Sequence, residues 1–420
     1  MRDGQSRPVD FAGTGSLTLD PDVTVTRTKS FPVGPYSFFA CVQSAGVWYG
    51  LGPAHYFTVI DPAAAVANSS ALKMWRNTRT QLSAVPGKYL AIGESVTEGQ
   101  GASSVQRRWL DLVRNALRMR YPVGGEGGGN NYIPAVYRVY GPDSPWTIPY
   151  STRTGAITPT YWAGTLGYRS LRLSAGATVT YPVNGDSADI WYIGASSTGT
   201  LTYWVDAGPR KSVSTTAAHY YVDGRVQSVS LGSIGTHTIT VQAGSADIYF
   251  GGLTVYRGDR THGVQVYDAG YSGATVGVFR ADATAFHQSM AAVAPDVITI
   301  ELGLNDYLRG TSPATFKAQL HDLIASVKRL TKRPSILLII PYALAPTVGD
   351  SARIATYATY VQQQRDLAAA DPTNVALLDL SKSMPPTDST GAGYYRSDAL
   401  HPNDTGQLKI ADLVTSILTQ

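Results

Sequence analysis

Hydrophobic periodicity switches twice along this chain, and that switch restricts the possible folds more than any other feature. Residues 89–92 form a short apolar run, and downstream Val105, Trp109, Leu112, Val113 and Ala116 recur at helical spacing. From about residue 134 to 256 the period becomes two. Residues 177–181, 188–192, 201–205, 237–241 and 247–250 alternate, separated by Gly, Pro and Asp-Ala-Gly turns. After Thr261, strand-like runs at 264–267, 297–302, 336–340 and 375–380 alternate with helical patterns at about 281–293, 313–330 and 351–370, and a last one at 405–418. Apolar runs alternating with helices predict parallel strands joined by crossovers. The predicted fold is therefore α/β: a doubly wound, flavodoxin-like parallel sheet of five strands, interrupted by an antiparallel β-sandwich or jelly roll. Residues 1–70 are rich in Thr, Val, Pro, Gly and aromatics and predict a small β region, with strands near 23–26 and 47–49; a linking helix follows at about 71–82. The domain plan is a β-rich module at 1–70, the α/β domain in two parts at 71–133 and 259–420, and the inserted β domain, a possible carbohydrate binder, at 134–258.

Charge and cysteine content exclude several function classes. Lys and Arg number 34 against 30 Asp and Glu in 420 residues, with no basic block, so no nucleic-acid partner is expected. Cys41 is the single cysteine, which rules out an intrachain disulfide and reads as a small buried hydrophobe. The opening Met1-Arg2-Asp3-Gly4 has no apolar signal core, and no segment reaches transmembrane length. That leaves the cytosol, release by another route, or a leader outside this numbering. The histidines show no metal-ligand spacing, so neither metal nor cofactor is expected. The run Gly124-Gly125-Glu126-Gly127-Gly128-Gly129 lacks the Gly-Lys-Ser/Thr ending of a phosphate loop and follows a helix, so it reads as a loop.

Ser95 follows the first apolar run at the turn Gly93-Glu94-Ser95. The carboxyl ends of parallel strands are where such sheets present ligand-binding groups. Three further segments fall just past core elements: Gly270 to Thr275, Gly303-Leu304-Asn305-Asp306, and Asp398 to Asn403. A serine hydroxyl needs a base to act as a nucleophile, and His401 is the candidate. Asp398 lies three residues earlier, close enough to fix the imidazole tautomer across a tight turn. Attack on a carbonyl creates an oxyanion that needs preorganised donors. The backbone N–H groups of Ser95 and Gly273 and the side-chain amide of Asn305 would supply them. Glycine at 273 permits close backbone approach.

These four blocks, in this order, resemble the SGNH, or GDSL-type, hydrolase family over roughly residues 88–122 and 262–420. The resemblance implies a serine esterase: Ser95 as nucleophile, His401 and Asp398 completing the triad, and Ser95, Gly273 and Asn305 forming the oxyanion hole. One departure stands out, Glu94 where the family usually has Asp before the nucleophile; that residue generally supports the loop.

Family resemblance further implies small-ester hydrolysis, with acetyl groups on a polysaccharide or cell-wall glycan as the expected substrate for a member carrying a β insertion. Trp146, Trp162, Trp191 and Trp204 are candidates for stacking on sugars. The insertion is expected to select the substrate and to be separable from hydrolysis of simple esters. The layout also resembles phage-tail or cell-wall-directed proteins, which implies an extracellular or virion-associated setting. The competing readings are a non-enzymatic glycan-binding adhesin and a lipase or thioesterase acting on longer acyl chains.

Overall fold

The computed structural model describes residues 65–420 except 124–127, 138–150, 163, 197–198, 219–222, 282, 346–350, 389 and 392, together with short strands within 1–64. Residues 1–64 and 65–420 are two compact units. In the first, Arg2–Asp3, Gly34–Phe38 and His55–Val59 form an antiparallel sheet, and Cys41–Ser44 pairs with Val47–Gly50 as a hairpin. The strand expected at 23–26, the burial of Cys41, Trp146 and most of the 124–129 turn lie outside the described residues.

The larger unit is built on five parallel strands: β1 (Pro86–Gly93), β2 (Gly263–Gly270), β3 (Val297–Glu301), β4 (Ser335–Ile340) and β5 (Val375–Asp379). Their spatial order is β2-β1-β3-β4-β5. The two-residue strand Val66–Ala67 adds antiparallel to β5, so the sheet has six strands rather than the five read from the sequence. Two residues cannot show a period, which is why this edge escapes sequence reading. The parallel strands are buried on both faces, hence their continuous apolar runs. Leu90 and Ile92 of β1 and Ile298 and Ile300 of β3 share a core with Phe286 and Met290 of helix Ala283–Val293 and Phe316 and Leu320 of helix Pro313–Lys328.

Helix ends are fixed locally. Ser312 caps Pro313–Lys328, accepting from the Thr315 N–H at 3.1 Å, with proline in the first turn. Asn403 caps the last helix, Asp404–Leu418, accepting from the N–H groups of Thr405 and Gly406 at 2.9 and 3.1 Å. The expected linking helix divides into a 3₁₀ turn, Ser69–Leu72, and an α-helix, Lys73–Arg79. Buried Trp75 donates from Nε1 to the Leu418 carbonyl at 2.8 Å and ties it to the chain's end.

Between β1 and β2 the described residues form one hydrogen-bonded antiparallel sheet of nine strands, where the sequence predicts a sandwich or jelly roll. Its two long strands explain the difference. Thr178–Gly194 and Asp223–Ala243 pair along nearly their whole length, with a register shift between Gly185 and Ser187. Glycines between the alternating runs read as turns in the sequence, whereas Gly185 and Gly235 face each other across the ladder where it is irregular. A Cβ on Gly185 would lie 2.1 Å from the Tyr256 carbonyl oxygen. Val179 and Tyr181 before the irregularity and Ile190 and Tyr192 after it line a single core. The sheet therefore folds over its own apolar face.

Candidate active site

β1 ends at Gly93, and the chain turns at once into a one-turn helix, Ser95–Glu98, closed by Gly99 at φ +100°. A Cβ on Gly93 would lie 2.1 Å from Thr97 Oγ1, so the tight turn needs glycine there. Ser95 is buried at this strand end, with Oγ 3.0 Å from His401 Nε2. His401 Nδ1 is 2.8 Å from Asp398 Oδ2. The other Asp398 oxygen accepts from the backbone N–H groups of Leu400 and His401, each at 2.9 Å. Partial burial pushes Asp398 toward neutrality, but these hydrogen bonds, the His401 ring's first, outweigh it and hold the carboxyl well below the usual range. The His401 loop is anchored from below: buried Tyr342 donates to the Leu400 carbonyl at 2.5 Å.

The other two blocks are bound to the serine turn through carboxylates. Glu94, fully buried, accepts from the N–H of Leu304 at 3.2 Å, the N–H of Asn305 at 3.0 Å, and the Asn305 side-chain amide. The longer side chain at 94 thus reaches the Asn305 turn. An amide carries two N–H groups, so one remains for a ligand while the other is held. The Gly273 loop is tied in by Glu98, whose Oε2 accepts from the Ser272 N–H at 2.7 Å. Gly273 adopts φ +76°, and a Cβ there would lie 3.0 Å from Arg309 Nη2. Asp306 Oδ2 accepts from the Val276 N–H at 3.0 Å and joins the asparagine and glycine loops to each other.

Beneath the turn lies a second carboxyl, Glu301, at the end of β3. Its Oε2 accepts from Thr97 Oγ1 at 3.0 Å. Burial raises it to about 8. Burial, and then the Glu301 charge, raise Glu94 well above its ordinary value. Two such carboxyls side by side do not both ionise at neutral pH.

Beyond Glu94, whose role the sequence suggests, the supports leave little mark in the sequence. Asp306 stands in the recognised Asn305 block, but Glu98 and Glu301 carry no motif signal of their own, and only their position beside a recognised block could have marked them. Of the proposed sugar-stacking residues, Trp191 belongs to the core: it is buried, lies edge-on to Tyr132 and Tyr267, and donates to Thr254 Oγ1 at 2.8 Å. Trp162 is 39% exposed, and the Arg210 guanidinium lies over the Trp204 ring at 4.3 Å. Among the described residues, no group of three or more His, Cys, Asp or Glu side chains could hold a metal ion, and no helix is long and apolar enough to cross a membrane.

Residues 225–409 match the model of the GDSL-like Lipase/Acylhydrolase family. The match takes in Gly273, Asn305, Asp398 and His401; Ser95 lies before it, on the far side of the β insertion. Among solved structures, a peptidoglycan O-acetylesterase is similar with a TM-score of 0.63 at 16% identity, over 84% of this chain and 97% of that one. A family two carbohydrate esterase from Clostridium thermocellum, in complex with cellohexaose, aligns at 15% identity over 59% of this chain and 93% of that one, with a TM-score of 0.30. No curated protein matches the chain.

Proposed function

We propose that this chain, whose residues 225–409 match the GDSL-like Lipase/Acylhydrolase family, is a carboxylic ester hydrolase that works through Ser95, His401 and Asp398 with an acyl-enzyme intermediate. The observation that carries the reading is the continuous hydrogen-bonded line from Ser95 Oγ through the His401 ring to Asp398. Ser95 Oγ attacks the ester carbonyl carbon as its proton passes to His401 Nε2. The carbonyl electron pair moves onto oxygen, which the N–H groups of Ser95 and Gly273 and the remaining amide N–H of Asn305 stabilise. Collapse of the intermediate breaks the bond to the alcohol oxygen, which takes the proton from His401. Water then attacks the acyl-Ser95, giving its proton to His401, and the second collapse returns that proton to Ser95. Asp398, held ionised, orients the ring and stabilises the imidazolium.

The proposed substrate is an acetyl ester on a polysaccharide or cell-wall glycan. Arg309 beside Gly273 gives the oxyanion loop a cationic border, which suits a hydrophilic substrate better than a long acyl chain. The related fold of a peptidoglycan O-acetylesterase is consistent with this choice. The test is Ser95→Ala measured on a chromogenic acetate ester and on acetylated glycan, with acetate release as readout. The variant is expected to fold and to lose both activities, together with covalent labelling by a serine-directed phosphonate. Undiminished turnover would remove the assignment.

A further inference from the structure

The geometry points to Arg169, contributed by the β insertion, as a positioning residue that sets the Gly273 loop against the serine turn. The inference rests on the catalytic reading proposed above.

Arg169 follows the 3₁₀ turn Leu166–Tyr168 and is fully buried. Its Nη1 is 3.2 Å from Glu98 Oε1, and its Nη2 is 3.0 Å from both Asp268 Oδ1 and the Asp268 carbonyl oxygen. Both partners belong to the catalytic framework. Glu98 ends the one-turn helix that Ser95 begins, and Asp268 lies near the end of β2. The other oxygen of Glu98 accepts from the Ser272 N–H at 2.7 Å, one residue before Gly273. The two backbone donors of the proposed oxyanion hole, Ser95 and Gly273, are thus bridged by Glu98. Arg169 neutralises that bridge. Arg108 completes the set at 2.6 Å from Asp268 Oδ2 and 2.6 Å from Asp111 Oδ2.

Backbone packing at the same place points the same way. A Cβ on Gly167 (φ +64°) would lie 2.6 Å from the Gly270 carbonyl oxygen, and a Cβ on Gly270 would lie 2.6 Å from the Glu98 nitrogen. Three chain segments, one from the insertion, one from β2 and one from the serine helix, meet with no room for side chains. Tyr168 adds ring contacts to Tyr271 and Phe279, at 6.4 and 5.8 Å between centroids. Without Arg169, Glu98 would lose the ion pair on its Oε1, and its grip on Ser272 through Oε2 would loosen as it protonates or turns away. The insertion is therefore part of the catalytic framework and not a separable accessory, contrary to the expectation from sequence.

The test compares Arg169→Met, Arg169→Lys, Glu98→Gln and the double variant Arg169→Met/Glu98→Gln in the full chain, on a simple acetate ester. Rates are taken per molecule titrated as folded. Arg169→Met is expected to lower kcat about a hundredfold, the scale of misplacing a catalytic group by an ångström, with KM little changed and Ser95 phosphonylation slowed in parallel. The double variant should recover most of that loss, because a neutral amide at position 98 still accepts from Ser272 through its carbonyl oxygen. Arg169→Lys, able to keep one ion pair, should fold and fall between. An unchanged kcat in folded Arg169→Met, or no rescue in the double variant, would reduce Arg169 to a purely structural residue. If Arg169→Met does not fold, Arg169→Lys decides: full kcat overturns the proposal, and reduced kcat at constant KM supports it. Ser95→Ala run alongside separates the two claims, since activity surviving there removes the catalytic reading itself.

Discussion

Asn305 meets Glu94 through both its backbone and its side chain, and that dual grip makes its catalytic contribution testable apart from substrate binding. Removing the side chain leaves the backbone bond in place, so the turn persists while one oxyanion donor disappears. Asn305→Ala should therefore lower kcat by roughly 10²–10³ and leave KM nearly unchanged, as for loss of one such donor elsewhere. An effect confined to KM would mean ground-state binding instead. Asp398 allows a prediction about pH. Its folded pKa is depressed, so the stability and orientation it supplies are present above the unfolded value near 3.9 and are lost only as pH falls through the folded value. Asp398→Asn should lower kcat throughout the span from about pH 5 to 8, in which the Asp398 charge does not change. Undiminished kcat at neutral pH in the folded variant would contradict its place beside His401. At this scale the sequence singles out Ser95, His401, Asp398 and Asn305 because their proposed chemistry restricts residue type, and the structure brings them together around one turn. Glu98 and Arg169 were not legible, because an acid or a guanidinium pairs wherever the fold brings opposite charge.

At the scale of elements, the strands β1 and β3 each end on a buried carboxyl, Glu94 just past the first and Glu301 closing the second. Glu301 keeps its proton in the folded chain at pH values where the unfolded chain has lost it. Stability should therefore fall as pH rises from the unfolded value near 4.3 toward about 8. For one full proton the slope approaches about 1.4 kcal/mol per pH unit. Glu301→Gln removes that proton while keeping an oxygen for Thr97. Its Tm relative to the parent should therefore improve as pH rises from about 5 toward 8 and level off above that, and a pH-independent difference would show that Glu301 does not hold its proton. Helices and parallel strands were legible because burial on one or both faces imposes a period; the pattern at 405–418 and the helix Asp404–Leu418 agree for that reason, with Ile410, Leu413, Val414 and Ile417 buried. The continuous pairing of 178–194 with 223–243 was not, because glycines that serve a bend in a ladder look like turns in a sequence.

At the scale of the molecule, the chain interrupts its α/β sheet after the serine helix and returns to it at β2, so the insertion must sit beside the site it splits. Residues 65–420 accordingly form one compact unit. The alternation of periods made the interruption legible, but not how closely it packs. Burial of Arg169 and the Gly167–Gly270 approach depend on which segments meet, which one sequence does not reveal. That packing bears on acyl-chain preference. The insertion closes against the Gly273 loop through Tyr161 and Tyr168, whose rings lie 5.7 and 6.4 Å from Tyr271, and Arg309 borders Gly273 itself. An octanoyl chain has about six more methylenes than acetyl, and needs an apolar groove to recover about 0.8 kcal/mol for each one buried. A loop bordered by a guanidinium and braced by packed tyrosines offers such a chain no matching gain, whereas acetyl needs only a small space beside the three donors. Profiling kcat/KM from acetyl to octanoyl esters of one alcohol should therefore give a maximum at acetyl and a steady decline. Acetylated oligosaccharide should exceed the simple acetate ester. A maximum at octanoyl would reject the acetylesterase reading in favour of a lipase or thioesterase, while leaving Ser95 and its partners in place.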